Sequence, residues 1–114
     1  MNYKITPTEF FEIKFRQLSK KYPSLVDDLE DFKKELLKNP TMGNDLGDNT
    51  RKVRMAIASK NKGKRGGARV ITFTVLVDAE KSKIYLLTIY DKGKQDTISK
   101  EDIKHIKMIS GMIK

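Results

Sequence analysis

The chain has 114 residues, no cysteine and a formal net charge of +9. This length allows one hydrophobic core but not a second independent one, and the lack of cysteine excludes disulfides, thiolate metal sites and cysteine nucleophiles. No apolar stretch approaches the roughly 20 residues that span a bilayer, and the N-terminus lacks the apolar core of a signal peptide. We therefore expect a soluble cytoplasmic protein with one domain over residues 1–114.

Helical periodicity dominates the first third of the chain. Residues 3–6 predict a short strand, and apolar side chains then recur at three- and four-residue spacing over residues 8–22. Ser24 is the expected N-cap of a second helix, which stops before Asn39. Because the connection between the two helices is short, they should form an antiparallel helical hairpin.

The period changes in the middle of the chain. Residues 39–50 have the composition of a loop, and residues 53–58 alternate as in a half-buried strand. The β-branched and aromatic run 70–77 predicts a central strand covered on both faces, and residues 84–90 predict the next strand. Ser99 then caps a last helix with one apolar edge.

The predicted order of elements is therefore β-α-α-β-β-β-α. Consecutive strands joined by short loops should pair in antiparallel fashion. The helical hairpin should cover one face of this small, mostly antiparallel sheet. The fold class expected from the residues is α+β.

The positive charge is concentrated in residues 49–77, which hold eight Lys or Arg residues and no acid, and so supply +8 of the net +9. This concentration indicates a polyanion-binding surface. The glycine-containing segment 63–69 would let a phosphate backbone approach closely, with Arg69 entering the next strand in a fixed direction. The alternative is an ordinary hairpin loop with solvated charges. The candidate phosphate contacts, here and in the turn at residues 91–94, are Arg51, Lys52, Arg54, Lys60, Lys62, Lys64, Arg65 and Lys94.

Two further residues bear on the chemistry. Tyr90, at the end of a predicted strand, can stack a base or hydrogen-bond a phosphate, or else lie in the core as an ordinary strand-end aromatic. His105 is the single histidine, so a two-histidine nuclease mechanism is excluded. No His, Asp or Glu cluster has the spacing of metal ligands, and we expect no metal. The acidic residues of the second helix should form its solvated face.

Several segments resemble the HigB-like branch of the RelE/ParE toxin superfamily. They are residues 63–71, the strand and turn 86–92, the preceding segment 49–56, and residues 20–25 between the two helices. The similarity covers nearly the whole chain and preserves the predicted order of elements. It implies a RelE-like fold.

The resemblance also implies a function. It is that of a bacterial type II toxin, a metal-independent and cofactor-free mRNA interferase that cuts messenger RNA on the ribosome. In the family mechanism the ribose 2′-hydroxyl attacks the adjacent phosphate. The implied partners are mRNA, the ribosome and a cognate antitoxin, often one with a helix-turn-helix domain.

The resemblance assigns roles to three residues. Arg69 matches the family's arginine at the start of the strand and would stabilise the phosphorane, because fixed cations bind the extra negative charge of the transition state. Tyr90 matches the strand-end aromatic, and Lys92 would donate a proton or contact a phosphate. The chain lacks the histidine pair of some relatives, which leaves a lysine–arginine version and an unassigned lysine base. Two other functions stay open: a non-catalytic binder of RNA or antitoxin, and a ParE-like inhibitor of DNA gyrase.

Overall fold

The chain forms an α+β fold in a computed structural model that describes residues 1–95 and 97–113. The described residues contain five strands, three α-helices and one short 3-10 helix. The strands are β1 (Asn2–Pro7), β2 (Asn44–Gly47), β3 (Thr50–Met55), β4 (Ala68–Leu76) and β5 (Lys81–Asp91). The α-helices are α1 (Glu9–Ser19), α2 (Leu25–Lys38) and α3 (Lys100–Ile109), and the 3-10 helix is Ala58–Lys60. In this part of the chain no helix is both long and apolar enough to cross a membrane.

The strands form one mixed sheet in the order β1-β5-β4-β3-β2. β3, β4 and β5 pair in antiparallel fashion, as their short connections predict. β1 lies parallel to β5 at one edge, because the two helices that follow β1 separate it from the other strands along the chain. The α+β class is therefore confirmed.

The helical hairpin covers one face of the sheet, as predicted. α1 begins at Thr8, whose Oγ1 accepts a hydrogen bond from the backbone N–H of Phe11 and donates one to the carbonyl of Leu86. Capping thus fixes the start of the helix and ties it to β5. The buried side chains of this core are contributed by both helices, by the facing strands and by one residue after β3: Phe11, Leu25, Leu29, Phe32, Leu36, Val53, Met55, Ile57, Ala68, Val70, Ile84, Leu86 and Ile89.

The predicted order lacked one strand. β2 lies inside the segment 39–50, which was expected to be a loop, and pairs with the start of β3 through Asn44↔Lys52 and Asp45↔Arg51. Its Asn, Asp and Gly residues are typical of turns. A four-residue edge strand needs only backbone pairing on one side, so its composition does not reveal it.

The last helix covers the other face of the sheet over part of its length. Ile103 and Ile106 of α3 pack with Ile71 and Leu87 in a second core cluster. β4 is buried over residues 68–72, but Leu76 near its end is 65% exposed. The expectation that residues 70–77 are covered on both faces is therefore wrong for the second half. α3 spans about 15 Å and cannot cover a nine-residue strand, which spans about 30 Å.

The two predicted serine caps differ in outcome. Ser99 caps α3, since its Oγ accepts a hydrogen bond from the N–H of Asp102. Ser24 makes no capping bond at the start of α2. Its hydroxyl instead lies 2.7 Å from Oδ2 of Asp28 and accepts a hydrogen bond from the N–H of Ser59. Ser24 therefore fastens the start of α2 to the 3-10 helix.

Candidate nucleic-acid interface

Three strands bring most of the predicted cations to one end of the sheet, whereas Arg51 and Lys52 lie in the first half of β3, towards the opposite end. Met55 at the end of β3 lies opposite Ala68 at the start of β4, and Ala68 lies opposite Asp91 at the end of β5. The connection 56–67 and the turn 92–95 therefore leave the sheet side by side. We call this part of the surface, formed by residues 56–67 and 92–95, the cationic end.

The connection 56–67 is folded closely against the strand before it. Asn61 and Gly63 have left-handed backbone conformations, with φ of 56° and 62°. A Cβ on Gly67 would lie 2.2 Å from the carbonyl oxygen of Met55, so only glycine fits there. The cations of this segment are carried on an ordered backbone and not on an extended tail.

Arg54, Arg69 and Tyr90 form a row across three adjacent strands. Arg54 lies opposite Arg69, and Arg69 lies opposite Tyr90. Side chains alternate between the two faces of a strand, and Val53 and Met55 face the helical hairpin. Arg54 therefore belongs to the other face, where Tyr90 packs with α3. The structure thus brings together two of the three predicted catalytic residues and one predicted phosphate contact.

The guanidinium group of Arg69 holds the cationic end together. It is 6% exposed and donates hydrogen bonds to the carbonyl oxygens of Lys64, Arg65 and Ala68 at 2.9–3.1 Å. Burial lowers its pKa and the nearby charge of Arg54 lowers it further, while Tyr90 opposes them. An arginine remains charged under such conditions. Arg69 therefore places a fixed positive charge beneath the connection and shapes its backbone.

Tyr90 and Lys92 differ in their exposure to solvent. The Tyr90 side chain is 7% exposed in the core beneath α3, where the alternative interpretation put it, and burial raises the pKa of its hydroxyl although Arg69 opposes this shift. Within residues 1–95 and 97–113 that hydroxyl has no hydrogen-bond partner. Lys92 is half-buried, and its backbone N–H donates to the carbonyl of Gly67. The catalytic roles of both residues stay predictions.

Three cations of the acid-free run have acidic partners from other parts of the chain. These pairs are Lys60–Asp91 at 2.6 Å, Lys64–Glu35, and Arg51–Asp45 at 3.8 Å. Glu35 belongs to α2, so the acidic face of that helix is not purely solvated. The absence of acids within the run therefore does not mean that all of its charge is uncompensated.

The other predicted phosphate contacts are more available. Among the residues that the structure describes, Lys52, Arg54, Lys62, Arg65 and Lys94 form no ion pair with an acid. All but the half-buried Lys52 are exposed. The exposed excess of charge at the cationic end is therefore carried mainly by Lys62, Arg65 and Lys94, with Arg54 on the neighbouring strand.

Sequence reasoning missed a buried carboxylate beside these cations. Asp91 is 4% exposed and accepts hydrogen bonds from the Tyr22 hydroxyl, Lys60 Nζ and the N–H of Gly93. Burial opposes its ionisation, but these hydrogen bonds outweigh burial and hold the pKa of Asp91 at about 2. The same bond to Asp91 raises the pKa of Tyr22 to about 12, with burial as a second cause.

Lys21 adds a second ammonium group to this cluster. Its Nζ lies 3.9 Å from Oδ2 of Asp91. Burial and the neighbouring Lys94 lower the pKa of Lys21, although Asp91 opposes them. Lys21 and Lys60 therefore share a single carboxylate, and Lys94 lies beside Lys21, which leaves the cluster positive. A lysine with a lowered pKa is the kind of group that the proposed base requires.

No metal centre is formed by the described residues. Within 1–95 and 97–113, no three His, Asp or Glu side chains lie close enough together to hold a metal ion. His105 is exposed on α3 and lines a cavity together with Tyr90 and Asp102. No protein-family model matches the chain.

Proposed function

We propose that the protein binds RNA at the cationic end and cuts it as a metal-independent, ribosome-dependent mRNA interferase of the RelE/HigB kind. The fold would then be RelE-like, and the partners would be mRNA, the ribosome and a cognate antitoxin. This function would make the protein the toxin of a bacterial type II toxin–antitoxin system acting in the cytoplasm.

The observation that carries the proposal is the row of Arg54, Arg69 and Tyr90 beside the exposed cations. Arg54 and Arg69 lie opposite one another on adjacent strands, although like charges so placed repel. Burial and Arg54 both lower the pKa of Arg69, so the pair is held together against its own repulsion. The repulsion between the two arginines would be reduced if a phosphate bound across them, because its negative charge attracts both.

The reaction places simple demands on these residues. The 2′-hydroxyl oxygen forms a bond to phosphorus, and the bond from phosphorus to the 5′-oxygen breaks, which gives a 2′,3′-cyclic phosphate and a free 5′-hydroxyl end. The proton of the 2′-hydroxyl passes to a base, and the leaving oxygen takes up a proton from an acid. Arg69 would stabilise the negative charge of the phosphorane, with Arg54 as its neighbour.

The proton-transfer groups are proposed from the two clusters. Burial and Lys94 lower the pKa of Lys21, which is the direction that a lysine base requires, so Lys21 is the proposed base. Lys92, two residues after Tyr90, is the proposed proton donor. Lys62, Arg65 and Lys94 would hold the phosphates on either side of the scissile bond.

A second function is favoured by the burial of two proposed catalytic groups. Arg69 is 6% exposed and Tyr90 is 7% exposed, and the guanidinium group is already bonded to three carbonyl oxygens. These contacts suit a protein that grips RNA with Lys62, Arg65 and Lys94 and does not cut it. Both functions use the same RNA-binding surface, but only the interferase generates cleaved RNA.

The test is a purified translation system with a defined mRNA, in which new 5′-hydroxyl ends are mapped by sequencing. We expect the protein to generate such ends inside translated codons, and only when ribosomes are present. Tyr90→Phe should reduce the rate by about 100-fold or more if the hydroxyl acts in the reaction. Tyr85→Phe is the matched control in the same core cluster and should leave the rate unchanged.

The outcomes separate the two functions. RNA binding without new ends would establish the non-catalytic binder. Cleavage that is equally fast in Tyr90→Phe would remove the Tyr90 hydroxyl from the mechanism. Intact messages accompanied by no binding to RNA would overturn both proposals.

A further inference from the structure

Lys107 is a buried lysine on the side of α3 that faces the sheet. Its residue is 7% exposed, its Nζ donates a hydrogen bond to Oγ1 of Thr50 at 2.6 Å, and it lies 4.3 Å from the centre of the Phe73 ring. Lysine is almost never buried to this extent without an acidic partner. Within residues 1–95 and 97–113, no carboxylate forms an ion pair with it.

The hydrogen bonds of Lys107 are incomplete. An ammonium group has three N–H donors and no acceptor. The Thr50 hydroxyl uses its own hydrogen on the carbonyl of Asp48, so it offers Lys107 only a lone pair. Among the described residues, the other two donors of Lys107 have no protein acceptor. A buried group in this state is costly unless something else accepts its hydrogen bonds.

A cavity of about 610 Å³ lies directly beside Lys107. Its apolar lining includes Leu46, Phe73 and Ile103. This volume is within the range of small-molecule sites, which are mostly apolar with a few polar groups that fix the orientation of the ligand.

The charges around the cavity favour an anionic ligand. Lys100 and Lys104 line it together with Lys107, and both are exposed. Among the described residues that line the cavity, Asp48 is the one acid. Burial lowers the pKa of Lys107 and Asp48 only partly opposes this, so the ammonium lacks the full compensation that a carboxylate in contact would give.

We propose that this cavity binds a small organic carboxylate with an apolar body. The carboxylate would accept the two unused N–H bonds of Lys107, and the apolar part would lie against Leu46, Phe73 and Ile103. Charge and shape both favour this class, since an inorganic anion would leave the apolar walls uncovered and an alcohol would leave the ammonium uncompensated. The site lies apart from the cationic end and does not depend on the proposed RNA cleavage.

The experiment is a titration of the full chain with hexanoate, followed by calorimetry and by amide NMR shifts. We expect saturable binding with a dissociation constant of about 1 mM or lower, with shifts centred on Thr50, Phe73 and Lys107. Hexanamide has the same apolar body without the charge and should bind at least about tenfold more weakly. Acetate tests the charge alone and should also bind more weakly.

Two variants and one control make the test decisive. Lys107→Met keeps the length of the side chain and removes the charge, and it should weaken hexanoate binding about tenfold or more. Leu46→Trp leaves Lys107 intact and should abolish binding by filling the cavity. Lys14→Met is the control, because Lys14 also lies over a phenylalanine ring, Phe10, but outside this cavity. Lys14→Met should bind like the wild type.

Three results would overturn the proposal. The first is no saturable binding of hexanoate. The second is equal affinity for hexanoate and hexanamide, which would mean that the ammonium is not used. The third is shifts confined to the cationic end, which would mean that hexanoate binds there as a general counter-ion. If Lys107→Met does not fold, Leu46→Trp and the hexanamide comparison still decide the matter.

Discussion

The hydroxyl of Tyr22 donates a hydrogen bond to Oδ2 of Asp91, which lies 69 positions further along the chain. Lys60 donates to the other carboxylate oxygen. One buried carboxylate therefore joins three segments: the connection between α1 and α2, the 3-10 helix, and the end of β5. The exposed cations Lys62, Arg65 and Lys94 follow closely after the 3-10 helix and β5 in the chain, so Asp91 helps to position groups that it does not neutralise.

Removing the Tyr22 hydroxyl should destabilise the protein in a pH-dependent way. We expect Tyr22→Phe to lower the free energy of unfolding by about 1–2 kcal/mol near neutral pH, since hydrogen bonds to charged groups contribute about this much. The pKa of Asp91 is about 2, below the usual 3.8, so its contribution to stability is present above pH 3.8 and is lost as the pH falls towards 2. The loss should be smaller and should end at a higher pH in Tyr22→Phe, because the folded-state pKa of Asp91 rises when one hydrogen bond to the carboxylate is missing.

Urea unfolding across this pH range and an NMR titration of the Asp91 carboxyl group would measure both effects. Tyr3→Phe is the control, because the Tyr3 hydroxyl makes no hydrogen bond within the described residues. An unchanged pKa of Asp91 in Tyr22→Phe would contradict the assignment of the low pKa to this bond.

RNA binding should depend on the exposed cations and on salt. We expect the double variant of Lys62→Ala and Arg65→Ala to weaken binding to a single-stranded RNA. The slope of log K against log salt should become less steep by about 1.4, because each lost phosphate contact on a single strand contributes about 0.7. Fluorescence anisotropy over a series of salt concentrations measures this slope.

Lys81→Ala is the matched control for this surface. Lys81 is exposed at the opposite end of β5 from Asp91. It should leave affinity and slope as in the wild type. Equal losses in both variants would mean that RNA binds the net charge of the protein and not the cationic end.

The helices and three central strands could be predicted because each must bury one face. Burial of one face gives the apolar residues a helical period in 8–22 and a strand period in 53–58, and both periods are visible in the sequence. The cap at Ser99 could also be predicted, because its hydroxyl accepts a hydrogen bond from the N–H of Asp102, only three positions away. β2 could not be predicted from the sequence, because an edge strand of four residues needs no apolar face.

The electrostatics of the site could be predicted only in part. The run of cations is visible in the chain, but Lys60 and Asp91 are 31 positions apart and Lys64 and Glu35 are 29 apart. Whether a charge has an acidic partner depends on tertiary contacts, and these contacts cannot be inferred by counting the charges in one segment. The burial of Arg69 has a similar origin, because the carbonyl oxygens that bind it belong to a connection whose folded shape is irregular.

Gly67→Ala should destabilise the junction between the cationic end and the sheet. The new Cβ would lie 2.2 Å from the carbonyl oxygen of Met55, so the start of β4 must move away from the end of β3. We expect a loss of about 2 kcal/mol or more in the free energy of unfolding, as for other substitutions that force backbone shifts. Thermal or urea unfolding measures the loss.

Gly93→Ala is the control for this substitution. Its Cβ would approach only the ends of the Lys60 and Asp91 side chains, at 3.3 and 3.4 Å. Its effect should stay below about 1 kcal/mol, since contacts at these distances need only a small shift of side-chain atoms and none of the backbone. A similar loss in both variants would show that the close approach at Gly67 has no special importance.

Tyr90→Phe should stabilise the fold. The Tyr90 hydroxyl is buried with no hydrogen-bond partner within residues 1–95 and 97–113. An unsatisfied buried polar group costs about 1–3 kcal/mol, so removing it should raise the free energy of unfolding by about 1 kcal/mol. The opposite sign is expected for Tyr22→Phe, which makes the two variants a matched pair under one unfolding protocol. A destabilised Tyr90→Phe protein would indicate that the hydroxyl has a partner after all.

The first strand of the chain pairs with the last strand, residues 2–7 against residues 81–86. A chain emerging from the ribosome therefore exposes β1 and the apolar faces of α1 and α2 until β5 has been synthesised. Asp91 lies at the very end of β5, so the carboxylate that joins three segments arrives last. The protein therefore cannot complete its cationic end during translation until β5 and the turn after it have been synthesised.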